Sequence, residues 1–83
     1  MKLDENIAAI VSGGASGLGA AVVRHLRDRE VKTALFDKDE DAGHQIASDT
    51  GSTFFMVDVS DSQSVRTALS AARNKNGQEQ LVV

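Results

Sequence analysis

Cysteine is absent from the 83 residues, which rules out a disulfide, a thiolate nucleophile or a cysteine-held zinc within them. Proline is absent too, and with it a common marker of domain boundaries. There is no tyrosine and no tryptophan, so these residues offer no phenolic acid or base. The only histidines are His25 and His44. With no third ligand beside them, both read as exposed helix residues and no metal site is expected. No apolar run is long enough to span a bilayer, and MKLDENIAAI lacks the basic start and long apolar core of a signal peptide. A cytoplasmic location and no membrane partner are therefore expected. Net charge is −3, and the nine Lys and Arg residues are scattered, which argues against a nucleic-acid partner. The length fits a single small domain, residues 1–83, with a marginal core.

What is present is an alternation of short apolar runs and amphipathic stretches, the pattern of βαβ units around a parallel sheet. IAAIVS (7–12), VKTALFD (31–37) and TFFMV (53–57) read as three strands, and Leu81-Val82-Val83 as the start of a fourth. Phe54 and Phe55 then belong to strand core. The first helix is predicted over Gly17 to Arg29, with Leu18, Val22 and Leu26 on one buried face. The second runs from Asp39 to Thr50, with Ala42, Ile46 and Ala47 inward and Gly51 ending it. DKDEDAGH at its start lacks the spacing of a calcium loop and reads as acids near the positive end of a helix dipole. Ser60 and Gln63 fit an S-x-x-Q capping box opening a third helix to Lys75, whose stripe is Val65, Ala68, Leu69 and Ala72.

The chemistry concentrates in SGGASGLG, between the first strand and the first helix. A strand-to-helix turn leaves the first helical N–H groups unpaired, and these together with the helix dipole attract an anion. Here Gly13 would permit the turn, Gly17 the close passage of a pyrophosphate, and Gly19 the packing of helix on strand. A purely structural tight turn is the alternative. No Gly-Lys-Ser/Thr follows, which disfavours a Walker-type loop.

Two acids narrow the ligand. Asp37 ends the second strand, 18 residues after Gly19, where dinucleotide folds place an acid on the adenosine ribose. Its carboxylate would accept from both ribose hydroxyls and repel a 2′-phosphate, favouring NAD, although the cation of Lys38 next to it could tolerate that phosphate. Asp37 could instead cap the following helix. Asp58 ends the third strand and could accept from the adenine amino group while the Val59 backbone passes the ring. The alternative is a solvated loop acid.

These residues resemble the TGxxxGxG signature of the short-chain dehydrogenases/reductases, with Ser12 in place of threonine. Ser16 stands where the related epimerase-like branch keeps its middle glycine, so the short-chain branch fits better. The resemblance runs from Ile7 to Val83 and is closest in appearance to type 2 3-hydroxyacyl-CoA dehydrogenases. It implies a doubly wound α/β (Rossmann) fold, of which this is the N-terminal half, with strand order 3-2-1-4. The first two helices would cover one face and the third the other. It also implies cofactor contacts from Gly13, Ser16, Leu18, Asp37, Asp58 and Val59, with Ser16 and Leu18 meeting the pyrophosphate.

The activity implied is NAD-dependent hydride exchange with a secondary alcohol or ketone, such as a 3-hydroxyacyl-CoA, in a homo-oligomer, commonly a tetramer, acting on a small-molecule substrate. The family's catalytic serine and Tyr-x-x-x-Lys pair have no counterpart in these residues, so no catalytic residue is assigned, and the chain is expected to be part of a longer protein. A non-catalytic dinucleotide-binding module or sensor is the alternative.

Overall fold

The computed structural model describes residues 2–83. Seven elements alternate: β1 (Ala8–Ser12), α1 (Gly17–Asp28), β2 (Lys32–Asp37), α2 (Glu40–Thr50), β3 (Thr53–Met56), α3 (Ser62–Asn76) and β4 (Leu81–Val82). The strands form one parallel sheet in the order β3-β2-β1-β4, as expected. Chain order reverses on the two sides of β1, and ligands of open α/β sheets bind outside the carboxyl ends of the strands at such a point.

The central strands are buried on both faces, which explains their continuous apolar runs. On one face Val11 and Leu35 pack under Val23 and Leu26 of α1 and Ile46 of α2. On the other, Ile10, Ala34 and Phe36 meet Ala68 and Ala72 of α3. Phe55 stands edge-on to Phe36 at 6.0 Å between ring centroids, while Phe54 packs toward α2. Both phenylalanines are half-buried, as an edge strand dictates.

Two expectations are corrected. Leu18 is 83% exposed, off the buried face of α1. That face is Val22, Val23 and Leu26, and at the first turn it is Gly19, not Leu18, that lies against the protein. Ser60 does not cap α3. Asp61 does, accepting from the N–H groups of Gln63 and Ser64, because a carboxylate one residue nearer the helix competes better for those donors than a hydroxyl.

Arg27 ties three elements at the opposite end of the sheet. Its Nε donates to the Thr50 carbonyl at 3.1 Å and its Nη1 to the Val31 carbonyl at 2.9 Å. Arg73 grips Glu79 through two parallel 2.8 Å bonds, and Gln80 then pairs with Ala8, which brings the chain from α3 into β4.

Candidate functional site

The carboxyl ends of β1, β2 and β3 surround a cleft of about 320 Å³. Its walls include Gly13 from the glycine loop, Asp37 and Lys38 after β2, and Asp58 and Val59 after β3. Parallel register produces this convergence: Ser12 lies beside Phe36, and Asp37 beside Met56, so the strands leave the sheet at one level. Ser16, Gly17, Leu18 and Gly19 stand beside the cleft, on the cap and first turn of α1.

The glycine loop divides its N–H groups into two sets. Those of Gly13 and Gly14 donate to the Phe36 carbonyl, at 2.7 and 3.4 Å. That of Ala15 donates to Asp37 Oδ2 at 3.1 Å. The next four, from Ser16 to Gly19, have no hydrogen-bond acceptor among the described residues. Ser16 is the N-cap of α1, yet its side chain makes no capping bond, and no acid lies in the first turn. The other two helices are closed by their own aspartates, Asp39 accepting from Ala42 and Asp61 from Gln63 and Ser64. The start of α1 therefore keeps its donors and the positive end of its dipole available.

The glycines have distinct tasks. Gly17 has φ +51, and a Cβ built on it would meet nothing within 4 Å. A Cβ on Gly19 would strike the Gly13 carbonyl, so the close approach expected there is between α1 and its own loop. The tight contact with a strand belongs to Gly14, whose Cβ would fall 2.6 Å from Leu35 Cβ. Gly14 escapes the triplet spacing; the doubled glycine of SGG was its only trace in the sequence.

Asp37 does not cap α2, since Asp39 does. Asp37 Oδ1 accepts from the Asp39 N–H at 3.0 Å, and Oδ2 from Ala15, which leaves lone pairs on each oxygen. Asp58 Oδ1 accepts from the Ser60 hydroxyl at 2.6 Å and the Ser60 N–H at 3.0 Å. The hydroxyl bond, then the N–H bond, and the nearby Lys38 cation hold the Asp58 carboxyl below the usual carboxylate range. It is an anion and an acceptor, with Oδ2 making no bond among the described residues. Val59 is 73% exposed beside it, an apolar surface on which a flat ring can rest.

His25 and His44 are exposed, His44 lying edge-on to Phe54 with its Nε2 3.9 Å from Glu40 Oε1. Neither reaches the cleft.

The sequence profile of the short chain dehydrogenase family matches residues 7–83. Short-chain dehydrogenase reductase 3a of Arabidopsis thaliana is 35% identical over 80 residues, covering 93% of this chain and 31% of that protein. The 3-hydroxyacyl-CoA dehydrogenase type-2 of Drosophila melanogaster is 35% identical over 81 residues, covering 95% and 32%. Among solved structures, a 3-ketoacyl-(acyl-carrier-protein) reductase from Brucella melitensis, complexed with NADH, superposes with a TM-score of 0.92. It is 22% identical, over 98% of this chain and 34% of the reductase, and so speaks to the fold. The chain spans about a third of the length of these relatives.

Proposed function

The chain belongs to the short-chain dehydrogenase family, and on that premise we propose that it forms the NAD-binding half of an oxidoreductase acting on a secondary alcohol or ketone. The observation that carries this reading is a cleft lined by two carboxylates and by Gly13, whose loop runs on into four free N–H groups at the start of α1. The donors suit a pyrophosphate, and the carboxylates suit the hydroxyls and amino group of adenosine.

The residues fit the cofactor. Ser16 to Gly19 would hold the pyrophosphate through backbone N–H groups, with Gly17 leaving room for it. Gly13 forms the near wall. The free lone pairs of Asp37 would take the adenosine ribose hydroxyls, Asp58 Oδ2 the adenine amino group, and Val59 would lie along the ring. Bound there, a nicotinamide supplies the means of exchanging a hydride with the alcohol carbon. The chain's own share is to anchor and orient the adenosine and pyrophosphate.

Asp37 supports NAD over NADP. A 2′-phosphate would bring negative charge against its carboxylate, with only Lys38 to offset it. The likeness to the Drosophila 3-hydroxyacyl-CoA dehydrogenase supports a 3-hydroxyacyl-CoA as substrate, and the family favours a homo-oligomer. Titration with NADH and NADPH, followed by nicotinamide fluorescence, tests the cofactor reading. Tighter binding of NADH is expected, and no binding of either refutes it.

A further inference from the structure

We propose that Asp37 is also a positioning residue for the phosphate loop: by accepting from Ala15 it sets the angle at which the next four N–H groups face the pyrophosphate. This rests on the dinucleotide-binding reading above and deepens it.

Three successive loop donors turn back onto the end of β2. Gly13 and Gly14 share the Phe36 carbonyl, and Ala15 takes Asp37 Oδ2. The third is the only one of these bonds made to a side chain, so it alone depends on residue identity. Ala15 is 6% exposed, so with Asp37 shortened its N–H would be left buried without an acceptor. The loop would then have to move to hydrate it, and Ser16 follows directly. The other carboxylate oxygen holds the Asp39 N–H, and Asp39 in turn caps α2. One carboxylate thus joins the phosphate loop, the end of β2 and the start of α2.

An ionised carboxylate has about four acceptor positions. Two are taken by Ala15 and Asp39, one on each oxygen. The two that remain match the two hydroxyls of a ribose, so the loop contact and the sugar contact can coexist. Replacing Asp37 to admit a 2′-phosphate would therefore cost phosphate-loop order as well as ribose recognition.

The test separates the two roles with an NADH analogue lacking both hydroxyls of the adenosine ribose. Asp37→Ala should bind this analogue roughly tenfold or more weakly than the parent protein, the loss expected of one bond to a charged group. Equal affinity of parent and variant for the analogue would overturn the proposal. In the ligand-free protein, amide exchange at Ala15 should quicken by a similar factor in Asp37→Ala, and unchanged protection would equally refute it.

A second variant leaves Asp37 intact. Lactic acid at position 15, introduced by nonsense suppression, replaces the Ala15 N–H with an ester oxygen. It should weaken NADH and NADPH alike and preserve their ratio. Wild-type affinity in the ester protein would sink the proposal even if Asp37→Ala failed to fold. If the parent protein binds no dinucleotide, the proposed function fails, and the Ala15 exchange rates alone decide whether Asp37 holds the loop.

Discussion

Substituting Gly17 by alanine separates a phosphate loop from a mere turn. In the free protein the added methyl meets no atom within 4 Å, so the direct penalty is conformational. Holding a residue with a Cβ at φ +51 costs about 1–2 kcal/mol. If these 83 residues melt as one unit, the midpoint should fall by roughly 4–8 °C for each kcal/mol lost. Binding should suffer separately, because a ligand drawn onto the N–H groups of α1 would meet the methyl. Losing one hydrogen bond between an N–H and a charged phosphate oxygen costs about 1.5–3 kcal/mol, or roughly 10- to 150-fold in affinity. Gly19→Ala is the control. Its methyl would collide with the Gly13 carbonyl, a backbone atom that cannot rotate away, so overpacking should lower stability by about 1–3 kcal/mol before any ligand is added. The assay is NADH titration of both variants at a temperature where each is folded, alongside thermal melts. NADH affinity in Gly17→Ala equal to that of the parent would refute the reasoning, since the free space at Gly17 would then serve no ligand.

Two further outcomes concern the frame that holds the site. Arg27→Ala should cost about 1.5 kcal/mol in a thermal or urea melt, the low end for a bond from a charged donor, because Thr33 Oγ1 still donates to the Val31 carbonyl; a change near zero would mean that water replaces the guanidinium at Thr50. Glu79 is held down to about 2, first by hydrogen bonding from Arg73. A carboxyl depressed in the folded state stabilises above its unfolded value, so this contribution should be present at pH 7 and fade as pH falls from about 4.5 toward 2. The stability difference between the parent and Glu79→Gln should shrink over that window, and a difference independent of pH would show that the Arg73 pair does not act through charge.

The alternation of strands and helices was legible because each element carries its own period. Continuous apolar runs such as AAIVS and TALF bury both faces in a parallel sheet, and the acid that ends β2, like the one two residues past β3, marks the level at which the chain leaves the sheet. Gly51 was legible as a helix stop because its φ of +76 suits glycine. Leu18 was misplaced for a physical reason. Helical spacing fixes which residues share a face, while the depth of the first turn depends on loop packing, here Gly19 against Gly13. Ser60 differs from expectation because its hydroxyl donates to Asp58 while Asp61 takes the helix. The bond from Ala15 to Asp37 joins residues 22 apart through a side chain and leaves no periodic trace.

The three helix starts can be compared on charge alone. An aspartate at the N-cap completes a helix by satisfying its first donors and placing a negative charge on its dipole. Asp39 and Asp61 do this for α2 and α3, taking the Ala42 N–H in one and the Gln63 and Ser64 N–H groups in the other and setting a negative charge at each end. Position 16 carries serine instead, neutral and small, with its hydroxyl uncommitted. An aspartate there would cap α1 more firmly and would set a like charge against any phosphate. The weaker cap leaves α1 less well finished as an isolated helix, and the donors it leaves open are those that the two carboxylates at the ends of β2 and β3 are placed to complement. On the dinucleotide-binding reading proposed above, helix capping and ligand affinity compete for the Leu18 and Gly19 N–H groups, which an acid at the N-cap would take, and serine at 16 favours the ligand.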